Sequence, residues 1–248
     1  MRPAPVVLCY HGISATWPDA TAVAPARFQA QVESFLRRGY LPVTFSQAAT
    51  DRSAGRTFAV TFDDAAISVS RHAAPLMREL GVPGTIFVPT DYPDSGRMMS
   101  WSGLERWLGS PHEGELESMG WEELAELREI GWEIGSHTCS HPRLETADDA
   151  TLVRELSDSK RICEERLGVP CRTFAYPYGF TDERVRKAAG EAGYSLAAIV
   201  PTSAAPRDPL AWPRVGVYRD DSSRRVHFRA GKRALVSRLS ARSRASGR

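Results

Sequence analysis

Short apolar runs rich in β-branched and aromatic residues recur along the chain, at Val6–His11, Thr57–Phe62, Gly84–Val88, Trp132–Ser136, Arg172–Tyr176, Ser195–Val200 and Arg214–Tyr218. Their length and composition predict strands. Between most of them lie amphipathic segments, Pro25–Arg38, Ala74–Leu80, Trp121–Ile130, Asp149–Leu167 and Asp182–Ala192, which read as helices. Each ends at a glycine (Gly39, Gly81, Gly131, Gly168 or Gly193), the residue that most readily takes the left-handed stop after a helix. Strands alternating with helices imply a parallel sheet, and seven candidate strands favour closure into a barrel over an open sheet. The uneven distances between the helix-ending glycines argue against an exact sequence repeat.

Polar groups fall at the carboxyl ends of these strands, where a parallel barrel carries its chemistry. Val6–Tyr10 runs into His11, Thr57–Phe62 into Asp63-Asp64, Trp132–Ser136 into His137, and Arg172–Tyr176 into Pro177-Tyr178-Gly179. Asp63-Asp64 alone reads equally well as a solvated turn, and His137 with His141 alone as satisfied polar residues. Jointly they supply two imidazoles and a carboxylate, a ligand set that leaves a position open on a hydrolytic zinc. If one aspartate binds the metal, its neighbour is free to take a proton from water. The long connection Thr90–Gly120, with Trp101 and Trp107, reads as a wall over the pocket or as an ordinary surface excursion.

At 248 residues, 42% hydrophobic, the chain can bury a full core as one domain. No stretch reaches the roughly 20 apolar residues of a membrane span, and the first residues are too short an apolar run for a signal peptide. The chain as it stands therefore reads as cytoplasmic, and as extracellular if its start has been trimmed. Four cysteines without paired spacing indicate neither a disulfide framework nor a cysteine zinc knuckle. The net charge of +2 conceals an asymmetry, because Ser222 to Arg248 holds nine basic residues and no acid, leaving a net −7 on the rest. We accordingly divide the chain into a barrel domain, 1–221, and a basic helix and tail, 222–248. The tail reads as a solvated terminal helix, or as a weak contact for an anionic membrane surface; no specific nucleic acid is expected.

Three motifs in this order resemble the polysaccharide deacetylases, carbohydrate esterase family four. Thr61-Phe62-Asp63-Asp64 is similar to the first family motif, His137-Thr138-Cys139-Ser140-His141 to the second, and Phe174-Ala175-Tyr176-Pro177-Tyr178-Gly179 to a variant of the third. Val7-Leu8-Cys9-Tyr10-His11-Gly12-Ile13 and Pro213-Arg214-Val215-Gly216-Val217 resemble the branch of biofilm-polysaccharide deacetylases. The resemblance implies an irregular seven-stranded β/α barrel and a hydrolase that removes an acetyl group from an N-acetylated sugar. It assigns Asp64, His137 and His141 to one divalent metal, zinc by preference with cobalt or nickel as alternatives, Asp63 to the general base, and the backbone N–H of Tyr178 to the oxyanion.

Two departures from the family pattern leave roles open. Ala175 stands where many members carry the arginine that pairs with the catalytic aspartate, and Arg214 is the candidate replacement. The late Leu-x-His that supplies the general acid is missing, His227 lying instead in the basic tail; His11 is a candidate for that role or for holding substrate, as is Asp63 for returning the proton. Ala65 replaces a usual glycine, which tightens the demands on the backbone. Tyr176, Pro177 and Trp101 are candidate substrate contacts, the aromatic rings by stacking on a pyranose. Two other readings remain: a deacylase of a non-polymeric amide such as a nucleotide-linked sugar, and a catalytically silent carbohydrate-binding barrel.

Overall fold

In the computed structural model, which describes residues 5–51, 56–202 and 208–232, all strand pairings in the sheet are parallel. The strands are β1 (Val6–Tyr10), β2 (Leu41–Pro42), β3 (Thr57–Phe62), β4 (Gly84–Val88), β5 (Glu133–Ser136), β6 (Thr173–Ala175), β7 (Leu196–Ile199), β8 (Trp212–Pro213) and β9 (Val215–Gly216). They follow the order β8-β7-β6-β5-β4-β3-β1-β9, with β2 attached to β3 off this path. The fold is a nearly closed, barrel-like parallel α/β structure.

The strand count differs from the expected seven, with eight on the path and one beside it. The difference arises at the seam. The pattern predicts one strand over Arg214–Tyr218, whereas Trp212–Pro213 pairs with β7 and Val215–Gly216 with β1. Pro213 has no N–H to give to a ladder. The N–H of Arg214 donates to Ile199 O at 2.9 Å and that of Val217 to Cys9 O at 2.9 Å, so the chain changes partner across Arg214 and joins both edges of the sheet.

Helices α1 (Pro25–Leu36), α3 (Ala74–Glu79), α4 (Trp121–Glu129), α5 (Asp149–Leu167) and α6 (Glu183–Glu191) occupy the expected segments. The glycines after them all have positive φ, as at Gly168 with φ 67°. A sixth helix, α2 (Phe45–Thr50), lies outside the predicted segments, because six residues are too few to show a helical period. It rests on local chemistry, a capping box between Thr44 and Gln47.

Side chains of alternate parity along the strands enter two cores. Leu8, Tyr10, Phe58, Phe62, Ile86, Phe174 and Ile199 pack against the surrounding helices, together with Phe28, Phe35, Leu124, Leu156 and Val185. Val7, Ala59, Phe87, Ala175, Ala198 and Trp212 point the other way and fill the lumen with Phe45 and Ala48 of α2. The N–H of Phe45 donates to Thr85 Oγ1 at 2.9 Å and that of Ser46 to Glu133 Oε2 at 2.9 Å, which seats α2 under the amino ends of β4 and β5. Inward residues are small near Gly135, where a Cβ would lie 2.6 Å from Thr173 Oγ1 and 2.7 Å from the Phe87 ring.

Residues 223–232 are helical. Val226 and Ala230 join the outer core, and His227 lies against Phe35 with ring centroids 4.1 Å apart. Arg224, Arg225, Phe228 and Lys232 are exposed on this stretch. The remaining part of the basic tail, 233–248, lies outside the described residues. No helix among the described residues is long and apolar enough to cross a membrane.

Candidate active site

The parity that sends Ala59 into the lumen also sends Thr61 and Asp63 there, one and two pleats further up β3 and just past its end. Across the seam Arg214 enters the same space. Its guanidinium donates from Nη1 to Asp63 Oδ1 at 2.6 Å and from Nη2 to Asp63 Oδ2 at 2.7 Å, and again from Nη1 to Thr61 Oγ1 at 3.0 Å. Both partners are buried, Arg214 completely and Asp63 to 3% exposure. The Phe87 ring lies 5.3 Å from the guanidinium carbon, and the Cys9 thiol donates to Asp63 Oδ2 at 3.4 Å. Burial raises the pKa of Asp63, but the facing charge of Arg214 outweighs it and holds the carboxyl well below the usual carboxylate range. Burial pushes the Cys9 thiol up, so it stays a neutral donor.

Asp64, the next residue, turns out of the strand with φ 72° and meets the two histidines. Its Oδ1 lies 3.5 Å from His137 Nε2 and 3.6 Å from His141 Nε2, too long for ordinary hydrogen bonds. One ligand atom from each of the three residues lies within 4.8 Å of the others. Asp64 Oδ1 is buried without a hydrogen-bond partner. His137 Nδ1 sits 2.7 Å from the carbonyl oxygen of Ala175, which only accepts, so Nδ1 carries a proton and Nε2 is the nitrogen turned to Asp64. Burial and then the neighbouring His137 charge lower His141 to about 3, leaving it a neutral imidazole. Burial opposes a proton on His137, yet the Asp63 and Asp64 charges hold its pKa above the ordinary value. An orphaned carboxylate oxygen facing two imidazole nitrogens, in a pocket that attracts a proton, fits a divalent cation bound by Asp64, His137 and His141.

The backbone around this cluster is held in an unusual state. Among the described residues six non-glycines have positive φ, and five of them are here: Asp64, Ala65, Thr138, His141 and Tyr178. Each such residue costs on the order of 1–3 kcal/mol, a penalty that persists where surrounding contacts over-determine it. At Ala65, φ is 54°, the conformation that a glycine would adopt without penalty.

The remaining expected residues separate into wall and core. Trp101 stacks on His141 with centroids 4.1 Å apart at 23°, and Tyr178 meets the same imidazole edge-on at 4.8 Å. Arg143 lies 4.2 Å over the Tyr178 ring. The connection carrying Trp101 therefore stands as a wall beside the cluster, tied down where Asp19 accepts from Arg106 Nη2 at 2.6 Å and Trp107 Nε1 at 3.0 Å. Tyr176, expected as a substrate contact, is fully buried and its hydroxyl donates to Leu210 O at 2.8 Å. It is a core residue because it shares the outward parity of Phe174. Pro177 is also buried and begins the turn that carries Tyr178. His11 is partly exposed, with a buried Nδ1 that lacks a partner, and one of its nitrogens lies within 4.8 Å of ligand atoms on Cys9 and Asp63. His227 is on the outside of the fold, bonded to Ser34 Oγ at 2.8 Å, away from this rim.

Asp19 and Glu155, two residues of this neighbourhood, are not among the candidates that the sequence singles out. Asp19 gives no pattern signal, since it lies in an irregular loop. Glu155 does give one, as a charged residue beside the apolar positions Leu152, Leu156, Cys163 and Leu167 of α5.

The constellation at the carboxyl ends of β3, β5 and β6 puts a candidate metal site where a parallel α/β barrel carries its chemistry. The chain belongs to the polysaccharide deacetylase family, whose pattern matches residues 50–197. It resembles IcaB from Ammonifex degensii (26% identity, TM-score 0.73, covering 92% of this chain and 97% of that one). It also resembles the Streptococcus pyogenes deacetylase PplD, solved with acetate, at TM-score 0.76 and 20% identity over 92% of this chain and 99% of that one, a likeness of fold. The poly-beta-1,6-N-acetyl-D-glucosamine N-deacetylase of Staphylococcus aureus is 24% identical over 163 residues, 60% of this chain. The chain spans 51% of that relative's length and 66% of that of Bacillus subtilis YxkH, to which it is 24% identical over 207 residues.

Proposed function

We propose that the protein is a metal-dependent N-deacetylase of an acetylated amino-sugar polymer. The observation that carries this reading is the Asp64, His137 and His141 cluster directly beside an ionised, Arg214-bound Asp63. Bound by that cluster, a divalent cation would supply Lewis-acid chemistry to an acyl carbonyl and to water. Zinc suits two imidazoles and a carboxylate, with cobalt or nickel as substitutes of similar coordination.

The roles of the protein's own groups follow from their settings. Arg214 keeps Asp63 ionised and aimed, at the expense of basicity, so Asp63 accepts the proton of the attacking water and, once protonated, is a strong acid. As the water oxygen bonds to the acetyl carbon and the C–N bond breaks, that proton passes to the departing nitrogen, leaving acetic acid and the amine, which part as acetate and an ammonium group once the acid's proton moves to the amine. His11, close to Asp63 and lacking a protein partner on Nδ1, is placed to receive the amino group or relay the proton. The N–H of Tyr178, carried on its left-handed turn against His141, is the proposed donor to the oxyanion; such donors contribute about 3 kcal/mol elsewhere. Tyr178, partly exposed, offers a ring on which a pyranose can lie, and the buried Trp101 backs His141 beside it. The relatives named for poly-N-acetylglucosamine support the choice of a glucosamine-type polymer.

The test is acetate release from short N-acetylglucosamine oligomers by protein supplied with zinc, cobalt or nickel. The Asp63→Asn variant should bind metal and lose roughly 100- to 10,000-fold in turnover, the range for a positioned general base. Full turnover by metal-loaded Asp63→Asn would remove the base assignment, and a His11→Ala variant with unchanged kcat and KM would remove His11 from the chemistry.

A further inference from the structure

The loop between the two histidine ligands is short, strained and held by one buried carboxylate. Glu155 of α5 is 1% exposed. Its Oε2 accepts from the backbone N–H of Cys139 at 2.8 Å and of Ser140 at 2.9 Å, and its Oε1 accepts from the Ser140 hydroxyl at 2.8 Å. The remaining contact is Arg154 Nη2 at 3.4 Å, from a side chain that is mostly exposed. One turn further along the same helix face, Ser159 Oγ accepts from Ser136 Oγ at 2.8 Å, at the last residue of β5 before His137.

The opposite side of the loop is held from β4. The N–H groups of Thr90 and Asp91 donate to the carbonyls of Thr138 and Cys139, each at 3.0 Å. His141 N–H donates to Thr138 Oγ1 at 3.0 Å. The amides of Cys139, Ser140 and His141 thus have their partners, and the carboxylate is the group that binds the two central ones. Those amides are oriented this way because Thr138 and His141 have φ of 70° and 64°, conformations an unrestrained loop would leave. A carboxylate taking three donors in a buried site makes strong, directional bonds, and an uncharged chain of the same length cannot accept from all three.

From this we propose that Glu155 is a positioning residue for the metal centre. It fixes the relative placement of His137 and His141 through the Cys139 and Ser140 amides, and it sets how tightly the pair holds a divalent cation without touching the cation or the substrate. The inference rests on the metal-site reading above, and the two can fail separately. Partners of this kind, one shell behind the ligands, typically alter metal affinity by 10- to 100-fold.

The experiment is cobalt titration of metal-free protein by visible absorbance, with thermal melting of the same metal-free samples. Glu155→Gln, which keeps shape and loses the charge and one acceptor, should weaken cobalt binding roughly 10- to 100-fold. At saturating cobalt its KM should match that of the original protein. Glu155→Asp, which keeps the charge but withdraws it by one methylene, provides the second variant if the first does not fold, and should also bind cobalt more weakly. A folded variant of either kind with unchanged cobalt affinity would overturn the positioning role, even if its melting temperature fell, since a purely structural residue lowers stability alone. Original protein that fails to take up cobalt would instead overturn the metal-site reading itself.

Discussion

At the scale of single residues, the pair formed by Asp63 and Arg214 decides most. Removing one member of a buried ion pair leaves an uncompensated charge, which costs about 3–5 kcal/mol. Arg214→Met should therefore be less stable than the original protein by that amount at pH 7, as measured by urea unfolding. The pH dependence has a definite sign. The folded-state pKa of Asp63 lies below its unfolded value of about 3.9, so the contribution of the pair is complete above that value and is lost as the pH falls towards the folded pKa. Without Arg214, the largest remaining influence on Asp63 is burial, opposed by the nearby histidines alone, so its pKa rises and protonation then relieves the variant. The stability difference between the two proteins should narrow below about pH 4, and a difference that stays constant from pH 7 to pH 3 would contradict this account. Arg214→Lys should restore little, because an ammonium cannot reproduce the two-point contact.

At the scale of elements, strands and helices were legible where local pattern is strong. Five helices and the first six predicted strands lie where periodicity and helix-ending glycines put them, since both signals act over a few residues. The departures are short pieces whose conformation depends on partners far along the chain: α2, seated beneath β4 and β5, and the seam split between β8 and β9. The same logic explains Tyr176, which reads as a rim aromatic from its neighbours but takes the outward parity of β6. The lumen is the element-level feature most sensitive to volume. Gly135→Ala on β5 would put a methyl against Thr173 and Phe87 and should cost about 1–3 kcal/mol, seen as a lowered melting temperature. A variant as stable as the original would mean that the lumen can relax.

For the molecule as a whole, binding of a cation couples to folding. Metal at a hundredfold excess over Kd should stabilise the folded state by about 2.7 kcal/mol. For a chain of this length that corresponds to a rise of roughly 5–10 °C in Tm, reversed by a chelator. Differential scanning calorimetry at fixed protein concentration reads this directly, and an unchanged Tm with zinc, cobalt and nickel would argue against a preformed site. The local order of residues was enough to imply an α/β chain with strands ending in Asp63-Asp64, His137 and the Tyr178 turn, because strand ends and ligand spacing are written within a few positions of each other. It could not show that Arg214 faces Asp63 across 151 positions, that Glu155 reaches back to the loop between the histidines, or that Tyr176 is buried. Those facts depend on which way each strand's side chains point once the sheet curls round, and on which two edges meet at the seam, and both are properties of the folded barrel.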